Sequence, residues 1–124
     1  MANVAIEGSD LVVQLSFWEK IGALRSGVRV SLGSVRQARA TSEPWAELRG
    51  IRAPGTGIPS VIMLGTTRGG FGKDFCAIYR GKPAVIVDLA GEEFRRLLLS
   101  VEQPEALVER ILSEQRNAPR PNGG

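Results

Sequence analysis

The chain holds few side chains able to do chemistry. It has no histidine and a single cysteine, Cys76. That count excludes the Ser-His-Asp and Cys-His mechanisms together, because both need an imidazole base near neutral pH. It also removes the usual zinc ligands and any internal disulfide. Glu92 and Glu93 are adjacent beside Gly91, and neighbours in sequence point apart, so they read as turn charges and not as an acid-base pair. Cys76 lies between Phe75 and Ala77 in an apolar run and reads as a small hydrophobe, not a reactive thiolate. Gly55-Thr56-Gly57 has the backbone character of an anion cradle. Yet Gly50, Gly55 and Gly57 match no G-x-G-x-x-G, and no Gly-Lys-Ser/Thr follows. The expectation is no catalytic residue, no metal site, no cofactor, and a protein that is not an enzyme.

Binding chemistry is better supplied. Thirteen of the sixteen basic residues are arginine, and between Arg25 and Arg52 six arginines stand against Glu43 and Glu47. Such a stretch suits an acidic protein, a phosphate or a lipid headgroup, and equally a solvated strand face. Within it, Trp45, Arg49 and Arg52 flank the mouth of a Gly/Pro-rich loop, Gly50 to Pro59. Tryptophan and arginine are the residues most enriched in interface hot spots, so these three are the candidate partner-binding residues. The competing reading has Trp45 covering an open barrel end and Arg52 bonding local carbonyls.

The elements that must position them are mostly strands. Val4 and Ile6, then Leu11, Val13 and Leu15, alternate with polar neighbours across Gly8-Ser9, a pair suited to a two-residue hairpin turn. Phe17 to Leu24 reads as a helical turn under the sheet. Val28, Val30 and Leu32 describe a half-buried strand, and residues 35 to 41 a more polar one at an edge, where arginine discourages strand addition. Pro44 to Leu48 reads as one helical turn capped by Ser42. Gly50 to Pro59 is expected to be a loop throughout. Strands follow at 60 to 67, 75 to 80, 85 to 89 and 95 to 101, with a flexible tip at 68 to 73 and a second Gly-X turn at Gly81-Lys82. From Pro104 to about residue 114, Leu107, Val108, Ile111 and Leu112 form the apolar stripe of a helix. One domain is expected over residues 1–115, followed by a disordered tail, 116–124.

The fold class that follows is mainly β: a small antiparallel barrel or sandwich of seven or eight strands closed by one C-terminal helix. The order of elements over residues 3 to 115 resembles the bacterial pleckstrin-homology-like domains. So do the connector Leu15-Ser16-Phe17-Trp18-Glu19-Lys20-Ile21, the following Val28-Arg29-Val30-Ser31-Leu32-Gly33-Ser34-Val35, and the closing helix. The resemblance implies two sheets capped by the helix and a binding or assembly role. The lipid-binding members carry a basic Arg-x-Arg pattern on the first hairpin. Here that hairpin holds Glu7 and Asp10, so phosphoinositide binding is not carried over.

The functional expectation is a non-catalytic protein-interaction or oligomerisation module, its partner an unknown protein or a second copy. The alternatives are a carrier of a small ligand or anionic lipid, and, less favoured, a cofactor-dependent enzyme. Nucleic acid is not expected as a partner, with aromatic content at 6% and no recognition motif. A membrane surface is left open without positive support. The longest apolar stretch falls far short of a membrane span and the first residues lack a leader pattern, so a cytoplasmic location is expected.

Overall fold

The computed structural model describes residues 3–16, 19–20, 27–48, 51–52 and 62–117. Among these residues nine strands form two sheets. The smaller is the antiparallel meander β1 (Asn3–Glu7), β2 (Asp10–Gln14), β3 (Gly27–Ser31). The larger is built from β4 (Val35–Thr41), β5 (Ile51–Arg52), β6 (Ile62–Gly69), β7 (Gly72–Tyr79), β8 (Ala84–Leu89) and β9 (Arg96–Ser100). Its order is β4-β8-β9-β7-β6-β5. Gly8-Ser9 makes the expected two-residue turn, with Glu7 opposite Asp10 and Gly8 at φ 60.

Neither sheet closes on itself, so the barrel alternative is set aside, and one pairing departs from an antiparallel scheme. β7 and β9 run parallel, because β9 folds back from β8 and inserts between β7 and β8. The turn at Gly81 therefore does not join paired strands. It is a β-turn closed by Lys82 N–H to the Tyr79 carbonyl (3.2 Å), with Gly81 at φ 77. The insertion follows from burial on both faces. Ala84 to Val87, Leu97 to Leu99 and Phe75 to Ile78 are unbroken buried runs, and only a central strand hides both sets of side chains. The β8–β9 connection is fastened in place: Phe94 is buried 5.6 Å from the Phe75 ring. Glu92 accepts from Ser31 N–H (3.0 Å) and from Ser34 Oγ–H (2.7 Å).

One face of the larger sheet packs on the meander. Leu11, Val13, Val28 and Val30 meet Phe75, Ala77, Val85, Val87, Leu97 and Leu99 in one core. The closing helix (Pro104–Asn117) completes it with fully buried Ile111 and half-buried Leu107 and Val108. Leu112 lies to the side of this stripe, half-buried and outside the cluster. Gln115 donates to the carbonyls of Leu32 and Val35, both at 2.8 Å, so the helix runs past the expected boundary near residue 115 to anchor the start of β4. Among the described residues no helix is long and apolar enough to cross a membrane.

Other local expectations shift for physical reasons. Ile51–Arg52 pair with Arg68 and Thr67, so the Gly/Pro-rich segment begins as strand, not loop. The β6–β7 tip narrows to Gly70-Phe71, with Gly69 opposite Gly72. The Phe71 ring folds over Gly69, where a Cβ would lie 2.5 Å from it. Pro44–Glu47 is a 3-10 turn with Pro44 in its first turn, but Glu43 occupies the cap position without a side-chain cap bond. Thr41 Oγ1 takes the Glu43 N–H instead (3.0 Å). The aromatic pair Phe17-Trp18, residues 53–61 and the tail beyond 117 lie outside the described residues.

Candidate functional site

The second face of the larger sheet has its own apolar cluster: Met63, Cys76, Ile78, Ala84, Ile86 and Leu98, all fully buried. Among the described residues it is covered by Trp45 and Leu48. The chain leaves edge strand β4 at Thr41, Pro44 sets the turn, and the turn lays the indole across the sheet. Trp45 therefore does not plug a barrel end. It is half-buried on an outer sheet face.

Beside the indole runs a groove of about 600 Å³, lined by Ser42, Glu43, Pro44 and Trp45 on one bank and by Arg80 and Gly81 on the other. Gly81 at positive φ turns the chain sharply here. The Trp45 Nε1–H is buried and has no acceptor among the described residues. Tryptophan N–H is a donor only, and a buried donor left unmet costs about 1–3 kcal/mol.

Next along the same face is a row of charge. The register brings Arg52, Thr67, Asp74, Arg96, Asp88 and Gln37 into line across the six strands. Arg96 Nε donates to Asp88 at 2.6 Å, and its Nη1 stands 3.9 Å from Glu47. Arg39 Nη2 donates to Glu47 at 2.6 Å. That hydrogen bond holds the Glu47 carboxyl below its usual range against the opposing effect of burial, with the Arg39 and Arg96 charges adding to it. The same contact raises Arg39. Asp74 is fully buried in this row. The Asp88 and Glu47 carboxylates are engaged by guanidinium groups, an arrangement that fixes the turn on the sheet and suits recognition better than proton transfer. Among the described residues no three His, Cys, Asp or Glu side chains converge on a point that would hold a metal.

Of the three residues singled out from sequence, Trp45 stands at the groove. Arg52 is placed by its backbone opposite Thr67, at the charged row and not at the groove. Arg49 lies outside the described residues.

Two constellations escaped the sequence reading. Ser16 and Glu19 form a capping box: Ser16 N–H donates to Glu19 Oε1 (2.9 Å), and Glu19 N–H to Ser16 Oγ (3.3 Å). Tyr79 O–H donates to the other Glu19 oxygen at 2.6 Å. The Ser-x-x-Glu spacing was the available signal for the first. The second joins residues 60 apart in sequence and had none. Glu92, read as a turn charge, is the latch on Ser31 and Ser34 described above. Compared with known proteins, the chain matches no family model, no curated protein and no solved structure.

Proposed function

We propose that this chain is a non-catalytic protein-interaction or oligomerisation module, a sandwich of the pleckstrin-homology-like kind whose partner-facing surface is the Trp45 groove. The reading is carried by one observation: a tryptophan held on a sheet face with its N–H buried, unmet, and beside a groove. An approaching backbone carbonyl or carboxylate would satisfy that donor, and tryptophan supplies large contact area at low entropic cost. The ion pairs of Glu47 with Arg39 and Arg96 support the reading, because they hold the Trp45 turn in one geometry before a partner arrives. Arg49 and Arg52 follow in the chain and would extend the surface with charge.

Trp45→Phe tests this directly. It keeps most of the aromatic packing and deletes the unmet donor, so the melting temperature should stay level or rise. Capture of partners from native lysate should weaken, by about tenfold for each 1.4 kcal/mol the N–H contributes. Undiminished capture by the Phe variant, with capture lost only when Trp45→Ala lowers stability, would reduce Trp45 to a sheet cover.

A further inference from the structure

The two sheets end in four edges, and three are guarded. At the larger sheet's ends, β5 is two residues long, while β4 carries Arg36 and Arg39 and has the closing helix against it. Short strands, cationic side chains and helical cover are the usual protections against strand addition. For the smaller sheet, the two-residue turn sets which groups face outward. Glu7 and Asp10 are a hydrogen-bonded pair, so Ala5–Val12 and Asn3–Gln14 are too. β3 then bonds to β2 through Val28 and Val30, leaving Gly27, Arg29 and Ser31 facing out. Ser31 N–H is taken by Glu92, and Gly27 is engaged as well.

β1 lacks these protections. Its outward N–H and C=O groups belong to Val4 and Ile6, and no described residue hydrogen-bonds to them. Both side chains lean on the core yet remain half-buried. Among the described residues the edge is therefore bare in its backbone and incompletely covered in its apolar row.

We propose that β1 is a self-pairing edge, joining two copies of this chain antiparallel across a two-fold axis at Ala5. The strand is complementary to itself in that register. Val4 of one copy and Ile6 of the second exchange both N–H···O=C bonds, and their side chains extend one core row across the seam. Ala5 faces Ala5 of the second copy in the close pair at the axis, where a small side chain fits. Asn3 stands opposite Glu7 of the second copy, so no like charges oppose. The same operation at β4 would bring arginine-bearing strands together. Self-pairing rests on the module reading as a class but not on the Trp45 groove, which lies on the other sheet.

The seam is one five-residue strand from each copy, well below the roughly 1,200 Å² of a standard interface, so association belongs at high concentration. Sedimentation and light scattering of the full chain, from about 10 μM to about 1 mM, should show the mass climbing from 13.3 kDa towards twice that value. Val4→Pro deletes an outward N–H, a change edge strands tolerate, along with part of the Val4 packing on the core. It should weaken association at least about tenfold with an unchanged circular dichroism spectrum. Ala5→Cys should cross-link to itself under mild oxidation, whereas Glu7→Cys should not; native Cys76 is fully buried. Trp45→Phe should associate like the wild type, so loss of the groove reading leaves self-pairing standing. A constant mass across the whole range overturns the proposal, as does wild-type association by a folded Val4→Pro protein. Should Val4→Pro unfold, the cysteine pair decides, and equal cross-linking at positions 5 and 7 overturns it. A constantly monomeric chain whose Val4→Pro variant loses a captured protein would assign the edge to a different partner, and self-pairing would fall.

Discussion

Tyr79 is the only tyrosine in the chain, so its ultraviolet absorbance reports one hydroxyl. That hydroxyl donates at 2.6 Å to Glu19, a carboxylate 2% exposed whose other oxygen accepts Ser16 N–H. Tyr79→Phe leaves the buried carboxylate short of a donor. Hydrogen bonds to charged groups contribute about 1.5–3 kcal/mol. Unfolding entropy of about 2.1 cal/mol/K per residue amounts to roughly 0.26 kcal/mol/K for this length, so each kcal/mol shifts the melting temperature by about 4 °C. The expected loss is about 6–12 °C by differential scanning calorimetry.

The titration is the stricter assay. Burial raises the Tyr79 hydroxyl above its ordinary range first, and the Glu19 hydrogen bond and charge raise it further. A raised phenol favours the neutral form in the folded state. Its contribution is therefore complete below about pH 10, the ordinary tyrosine value, and is lost as pH rises from there towards the folded value. Phenolate absorbance should appear only well above pH 10, alongside unfolding. In Glu19→Gln the carboxylate's effect disappears and burial remains, so the midpoint should fall part of the way towards 10. A phenolate forming near pH 10 in a protein that keeps its native circular dichroism would refute the buried pair. So would a Tyr79→Phe protein melting within about 2 °C of the wild type.

Ile111→Ala should cost about 2–5 kcal/mol in urea unfolding, because this side chain is fully buried between helix and sheet; an unchanged midpoint would mean the helix does not dock there. Glu47, held low by Arg39, contributes stability above its ordinary carboxyl pKa of about 4.3, and loses it as pH falls through the lower folded value. Glu47→Gln should therefore be less stable than the wild type at pH 7, by at most about 1 kcal/mol given the pair's partial exposure. It should approach wild-type stability once the pH falls below that folded value, and a pH-independent difference would deny the Arg39 pairing that role.

Local features were legible because local forces set them. The Gly8-Ser9 turn, the polar edge at residues 35–41 and the Ile111 stripe each announce themselves within a few residues, through turn chemistry, charge or a helical period. Glu19 is equally local, since Ser16-x-x-Glu19 states a capping box. Trp45 was legible as a residue and not as a place. Its type marked it, but the sheet face beneath it depends on strand order.

Strand order is where period-two reading stopped short. Period two alone puts Val85, Val87 and Leu89 on one row with Ile86 opposing them, yet Ile86 is as buried as its neighbours. An alternating strand needs cover on one side, whereas an unbroken apolar run needs it on both. Ala84 to Val87, Leu97 to Leu99 and Phe75 to Ile78 are all runs of the second kind, and a two-layer barrel or sandwich offers cover on one side alone. Those runs already require a third layer, and among the described residues Trp45 and Leu48, between β4 and β5, supply it. The face that the central strands could not leave bare is thus the face on which the candidate site stands.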